Sequence, residues 1–171
     1  MRDVSPNTPP PSVDIKALIR YLGEFVKHPV DQIRSLPEWN WASILTVNLC
    51  LSVASGVLAG LLKLNMWGIA GGILLMPVIS TVTAGLLSLF LYYYFQFFEN
   101  RTESFRRLMT LVVLSSIPFY LFQVISEYFA PISLVGFAFT SFLGVIGLSE
   151  NFRVPRDRAY KIVGGVFALV A

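Results

Sequence analysis

Long apolar runs separated by short polar segments dominate the pattern of this chain. An uncharged apolar run of about 20 residues is long enough to cross the hydrocarbon core of a bilayer as a helix. The pattern therefore predicts an all-α, polytopic integral membrane bundle with five transmembrane helices at residues 39–171, rather than a soluble core. The five predicted spans contain no Asp, Lys or Arg away from their ends, and they lie at residues 41–62, 68–98, 108–128, 131–148 and 159–171.

The segment before the first apolar run has a helical periodicity instead. Its apolar residues recur every three or four positions, with charged residues between them on the opposite side. We predict an amphipathic helix within residues 13–38, preceded by a disordered, proline-rich tail at residues 1–12. Leu18, Leu22 and Phe25 mark its apolar face, and they are candidate contacts for lipid or a partner. This face can pack on the protein's own cytoplasmic surface or lie in the lipid interface, and the sequence favours neither.

The composition agrees with a membrane protein and argues against an enzyme. The 171 residues are 55% hydrophobic and only 13% charged, which is outside the usual range of soluble domains. Five spans leave little chain for a soluble catalytic domain. The single cysteine, Cys50, and the single histidine, His28, have no second ligand spaced to share a metal ion. We therefore expect no catalytic site, no cofactor and no metal.

The cations are distributed unevenly along the chain. Of the 13 Lys and Arg residues, all but Lys63 fall in the N-terminal segment or in the connections after the second and fourth runs. Because cationic loops remain in the cytoplasm, we predict a cytoplasmic N-terminus and an outward C-terminus. These loops are short and also contain carboxylates, so we expect contacts with anionic lipid or a partner, and no nucleic acid. The candidate contacts are Arg106, Arg107, Arg153, Arg156 and Arg158.

Two of the runs place small residues at every fourth position. Such spacing lets two helix backbones approach closely. The contact can be intramolecular, which we favour because the chain contains several helices, or it can be the seam of a homodimer. The residues are Ser52, Gly56 and Gly60 in the first run and Gly136, Thr140 and Gly144 in the fourth.

Prolines and a few polar side chains interrupt the apolar runs. Pro77 and Pro118 are candidate bends, because proline removes a backbone donor and clashes with the preceding turn. Asn48 and Gln123 are expected to hydrogen-bond between helices, and Glu127 is expected to be solvated at the outer end of the third run.

Several short motifs, in their order along the chain, resemble the Yip1 domain family. They are Lys27-His28-Pro29-Val30 with Ile33-Arg34 and Leu36, then Phe105-Arg106-Arg107-Leu108 with Ile117-Pro118-Phe119, and finally Gly147-Leu148-Ser149 with Arg158-Ala159. The resemblance implies a small multi-pass membrane protein with a cytoplasmic N-terminus, in a family whose eukaryotic members are linked to vesicle traffic and small GTPases.

The resemblance is to the prokaryotic branch of that family. The Asp-Leu-Tyr-Gly-Pro-type segment of the eukaryotic branch is absent before the first run, where Glu38-Trp39-Asn40-Trp41 stands instead. The resemblance therefore implies a bacterial inner membrane protein, and we do not expect a small GTPase partner.

These features lead to two functional hypotheses. The first is a non-enzymatic scaffold or accessory subunit that binds another membrane protein, a second copy of itself or lipid. The second is a small transporter, channel or lipid-translocating protein in which the proline bends open a path past Asn48 and Gln123. The second hypothesis requires an oligomer, because a single bundle with so few polar groups is a poor conduit.

Overall fold

A computed structural model describes residues 13–62 and 66–170, with side chains described as far as residue 166. The predicted tail at residues 1–12 and the turn residue Lys63 lie outside the described residues. All regular secondary structure in the described part is helical. The helices are α1 (Ile15–Lys27), α2 (Pro29–Ile33), α3 (Trp41–Leu62), α4 (Met66–Phe98), α5 (Phe105–Ser115), α6 (Ile117–Ser126), α7 (Ile132–Phe152) and α8 (Arg156–Val170).

Four helical segments of the described chain are long and apolar enough to cross a membrane. They are Trp41–Leu62, Met66–Phe98, Phe105–Ser126 and Ile132–Phe152. The chain is therefore a helical membrane bundle, as the apolar runs predicted. The fifth predicted span corresponds to α8, which has 15 residues and is not among these four segments. A helix of this length rises about 22 Å, against a hydrocarbon core of about 30 Å.

The third and fourth spans differ in detail from the sequence prediction. The third span is two helices, because the α-helix is interrupted at Ser116, two residues before Pro118. The fourth span continues to Phe152 rather than ending at Leu148. Its extra turn is closed by Arg153 in the left-handed conformation (φ 52°) and by a hydrogen bond from the Val154 N–H to the Leu148 carbonyl.

Helix α3 packs against α4 through glycines at very short range. A Cβ atom on Gly72 would lie 2.4 Å from the carbonyl carbon of Gly56, and one on Gly60 would lie 2.6 Å from the amide nitrogen of Ile69. Only glycine fits such an approach. Ser52 on the same face is buried, with its hydroxyl bonded to the Leu49 carbonyl at 3.1 Å. This small-residue face thus packs within the chain.

Helix α5 lies at the centre of the bundle. Every residue from Leu108 to Ser115 is buried, and the helix contacts α2, α3, α4 and α7. From Leu108 onward the helix carries no charge, and a segment that is apolar on all sides is stable only where other helices or lipid surround it. In contrast, most apolar side chains of α4 face outward, where lipid would cover them.

The small residues of α7 face several neighbours rather than one. A Cβ atom on Gly136 would lie 2.8 Å from the Phe122 Cβ on α6, whereas one on Gly144 would meet Val163 of α8 at an ordinary 3.7 Å. Between them, the buried Thr140 hydroxyl has no hydrogen-bond partner among the described residues. The face therefore packs within the chain, closely on α6 and more loosely on α8.

Candidate functional site

Three polar segments that are distant in sequence meet at one end of the bundle. They comprise residues 28–36, 99–107 and 150–158, and we call the surface that they form the basic end. The Asn151 side chain joins the first segment to the third, and an ion pair between Arg158 and Glu99 (3.0 Å) joins the second to the third. The arrangement places the predicted cationic segments side by side.

Asn151 fixes the end of α2 against α7. Its side-chain oxygen accepts a hydrogen bond from the Leu36 N–H at 3.0 Å, and its amide nitrogen donates to the carbonyls of Ile33 (2.8 Å) and Gly147 (3.1 Å). The Ile33 side chain is fully buried, and a Cβ atom on Gly147 would lie 3.3 Å from its Cγ1. Three of the family-like motif positions thus meet at one asparagine, a residue that lies outside those motifs and that no local pattern marks.

Two of the arginines at the basic end pack on aromatic rings. Arg101 donates to the Phe152 carbonyl, and its guanidinium lies 4.9 Å from the centre of the Phe95 ring. The Arg107 guanidinium lies 5.6 Å from the Phe152 ring. Such cation–π contacts contribute about 0.5–1 kcal/mol at exposed sites and more when they are desolvated. These two arginines therefore help to hold the connections in place.

Other arginines of the basic end remain accessible. Arg106 and Arg153 are exposed and form no ion pair with another described residue. Arg156 lies 3.5 Å from Glu150, and its side chain is 72% exposed. Because exposed ion pairs contribute only about 0–1 kcal/mol, Arg156 can exchange this carboxylate for another anion. The basic end thus offers cations to an external ligand.

Helix α1 packs on the protein through part of its apolar surface. Its N-terminus is capped by Asp14, which accepts from the Ala17 N–H at 3.0 Å. Leu18 and Phe25 are buried and Leu22 is half-buried. This corrects the expectation that Leu18 and Phe25 contact lipid or a partner, because both side chains already lie in the protein's own core.

A second apolar strip of α1 faces outward. Ile15, Ile19 and Val26 are each more than half exposed. On the docked side, the Tyr21 hydroxyl donates to the Gln32 carbonyl at 3.4 Å, and burial raises the pKa of Tyr21 to about 12. The Tyr21 ring also meets Trp39 edge to face, with centroids 5.1 Å apart. Helix α1 is therefore seated firmly while it presents apolar side chains outward.

The polar groups inside the bundle bond to one another near Pro77. The Asn48 amide is 1% exposed and donates to the hydroxyls of Ser80 (3.3 Å) and Thr81 (3.0 Å). Both hydroxyls donate in turn to the Pro77 carbonyl. Helix α4 is continuous through Pro77. This cluster ties α3 to α4, and the Asn48 amide is enclosed rather than facing an open path.

The remaining polar candidates lie toward the other end of the third span. Gln123 and Glu127 are both half-buried, and the Gln123 carbonyl accepts from the Ser126 hydroxyl at 2.7 Å. Within the described residues, no group of three or more His, Cys, Asp or Glu side chains is placed to hold a metal ion.

Comparison with known proteins gives one clear match. The family model described as Yip1 domain matches residues 23–171, which is most of the chain. Neither the curated proteins nor the solved structures contain a match to this chain. The matched region begins inside α1 and includes all of the residues of the basic end.

Proposed function

The chain belongs to the Yip1 domain family, and from this premise we propose that it is a non-enzymatic scaffold or accessory subunit. It binds a partner membrane protein through the basic end. The proposal rests on one observation: exposed cations from two connections, Arg106, Arg153 and Arg156, lie at the same end of a bundle whose connections are fixed by Asn151 and Arg101. A fixed array of cations favours an anionic partner surface.

The membrane setting is part of the proposal. The basic end lies at the cytoplasmic face of a bacterial inner membrane, because cationic connections remain inside. Helix α8 starts at this end and leads outward as the fifth span. The outer strip of α1, formed by Ile15, Ile19 and Val26, lies in the lipid interface beside it.

The interior supports binding rather than transport. A transporter or channel needs polar groups along an accessible path, and Asn48 is the best candidate to line one. Its amide donors are already used by Ser80 and Thr81. A scaffold needs no such path, since its interactions are made at the surface.

The first prediction concerns orientation. In a Cys50→Ser background, single cysteines replacing Arg106 and Arg156 should react with a membrane-impermeant maleimide only after the cells are permeabilised. A cysteine replacing Ala130, which is exposed in the turn between α6 and α7, should react in intact spheroplasts. If the cysteines at positions 106 and 156 label from opposite sides, the basic end does not exist as one surface in the membrane.

The second prediction concerns the partner. Purification of the full chain in a mild detergent is expected to retain a specific membrane protein, and the double variant Arg106→Glu, Arg156→Glu should retain at least tenfold less of it. The reason is that reversing two exposed charges turns attraction into repulsion across the contact. Quantitative mass spectrometry of the eluates measures the ratio.

A matched control makes the same change in net charge on α1. Lys16→Glu with Arg20→Glu alters two exposed cations outside the basic end and should retain the partner. Equal loss in both double variants would mean that only the overall charge matters, and the proposed contact surface would be abandoned.

A further inference from the structure

A cleft of about 520 Å³ opens between the C-terminal part of α4 and the first turns of α8. Its α4 side is a wall of stacked rings. Tyr93 lies on Phe97 with ring centroids 6.0 Å apart, and Tyr94 lies on Phe98 with centroids 5.1 Å apart, each pair at an interplanar angle of 19°. Phe97 and Phe98 are more than two-thirds exposed. An apolar wall of this kind is stable in a bilayer only when acyl chains or another protein surface cover it.

The α8 side of the cleft places two cations at its mouth. Lys161 is exposed and forms no ion pair with another described residue. Arg158 holds Glu99 through Nη1 at 3.0 Å, which leaves its other guanidinium donors for a second anion. Beyond them the lining becomes apolar again at Ile162 and Gly165. The cleft thus changes from cationic to apolar along its length.

This change from a cationic to an apolar lining extends over a length that matches the headgroup end of a phospholipid. From Arg158 to Gly165 the helix rises about 10 Å, which covers a phosphate, the glycerol and the first acyl carbons. In membrane proteins generally, Tyr and Trp side chains are enriched at the depth of the headgroups, and basic pockets between membrane helices bind anionic headgroups. Glu99 is already paired with Arg158, so the ammonium of a zwitterionic lipid would find no free carboxylate among the described lining residues.

We propose that this cleft binds one anionic glycerophospholipid, with its phosphate at Lys161 and Arg158 and an acyl chain along the Phe97 and Phe98 wall. The site deepens the lipid-binding part of the proposed function. It is separate from the cations Arg106, Arg153 and Arg156, to which the protein partner is assigned. Loss of one activity can therefore be measured without loss of the other.

Two neighbouring glycines provide a matched pair of variants. Gly165 lines the cleft, whereas Gly164 does not. A Cβ atom added at either position meets no neighbouring atom of the described residues within 4 Å. Gly165→Leu should therefore place a side chain in the cleft without disturbing the fold, and Gly164→Leu makes the same chemical change outside it. Lys161→Gln removes the headgroup contact at an exposed position, and Lys161→Arg retains the charge.

The experiment is native mass spectrometry of the full chain in mild detergent, titrated with phosphatidylglycerol or phosphatidylcholine. Wild type should bind phosphatidylglycerol about fivefold more tightly than phosphatidylcholine, the ratio expected for the one unpaired cation among the described lining residues, Lys161, at the headgroup, since the charge of Arg158 is already balanced by Glu99. Lys161→Gln should weaken phosphatidylglycerol binding about fivefold, because it removes one cation from the headgroup. Gly165→Leu should also weaken it, because the new side chain occupies space in the cleft that the lipid requires. Gly164→Leu and Lys161→Arg should match wild type.

Three outcomes would overturn the proposal. Equal binding by Gly165→Leu and Gly164→Leu would place the lipid elsewhere. Displacement of phosphatidylglycerol by millimolar inorganic phosphate would identify a site for a free anion. A change of oligomeric mass in Gly165→Leu without loss of lipid would assign the cleft to a protein helix. Partner retention in the same variants separates this site from the proposed function, since Gly165→Leu should lose lipid and retain the partner.

Discussion

Gly72→Leu is expected to disrupt the packing of α3 on α4 and to lower the thermal midpoint of the protein in detergent by roughly 10 °C or more. A Cβ atom on Gly72 would lie 2.4 Å from the Gly56 carbonyl carbon and 2.6 Å from its oxygen. Both contacts are with backbone, which cannot rotate away as a side chain can. The helices must separate, and the nearby hydrogen bonds from Asn48 to Ser80 and Thr81 would lengthen.

The adjacent Gly71 supplies the control for this variant. A Cβ atom there meets no neighbouring atom of the described residues within 4 Å. Gly71→Leu makes the same change one residue away and should leave the midpoint within a few degrees of wild type. Fluorescence-detected size-exclusion chromatography after heating measures both variants. Equal midpoints for Gly71→Leu and Gly72→Leu would show that the glycine seam is not a close contact within the chain.

Gly56→Leu, on the α3 side of the same contact, separates the two interpretations of the small-residue face. If Gly56 and Gly60 formed a homodimer seam, a bulky residue would lower the oligomeric mass while each subunit remained folded. Packing within the chain predicts the opposite, a loss of folded protein at unchanged mass. Measurement of mass by light scattering on the same samples distinguishes these results.

Asn151→Leu is expected to release the segment between α1 and α3 from α7. The Leu36 N–H and the Ile33 carbonyl would each lose a partner, and an unsatisfied buried group costs about 1–3 kcal/mol. The total, about 2–6 kcal/mol, is a large fraction of the roughly 5–15 kcal/mol by which a typical domain is stable. Trypsin should therefore cleave after Lys27 and Arg34 much faster than in wild type, because α2 opens more often.

Two variants bracket the effect of Asn151→Leu. Asn151→Asp retains an oxygen that can accept from the Leu36 N–H but no amide to donate to Ile33, so its cleavage rate should be intermediate. Glu150→Gln, at the exposed neighbouring position, removes only an exposed ion pair with Arg156 and should be cleaved at the wild-type rate. Wild-type cleavage of Asn151→Leu would mean that the apolar contact of Ile33 with Gly147 is sufficient to hold α2.

The boundaries of the helices show where the one-dimensional pattern is incomplete. The second span was placed at residue 68, whereas its helix begins at Met66 and includes Trp67. The third run contains a break at Ser116 that hydropathy does not detect, because both sides of the break are equally apolar. The fourth helix extends beyond its apolar run by one polar turn. The Asn151 side chain stabilises this turn by donating a hydrogen bond to the Gly147 carbonyl.

The roles of the individual candidate residues depend on which other residues they contact in the fold, and the hydrophobic pattern does not specify these contacts. Leu18 and Phe25 were chosen as contacts for lipid or a partner because they are apolar and periodic, yet they pack inward, while Ile15 and Ile19 on the adjacent strip face outward. Periodicity identifies an apolar face, but it does not state which part of a wide face another helix will cover.

The sequence by itself determined the membrane class, the positions of four spanning segments within a few residues and the grouping of the cations. These properties follow from a constraint on each segment separately, since in lipid every spanning segment must satisfy its own backbone hydrogen bonds as a helix. Only the tertiary structure distinguished Gly72 from Gly71, assigned Asn151 to the end of α2 and placed Lys161 beside the rings of α4. These contacts join residues far apart in the chain, 115 positions in the case of Leu36 and Asn151, and no local pattern specifies which distant residues will meet.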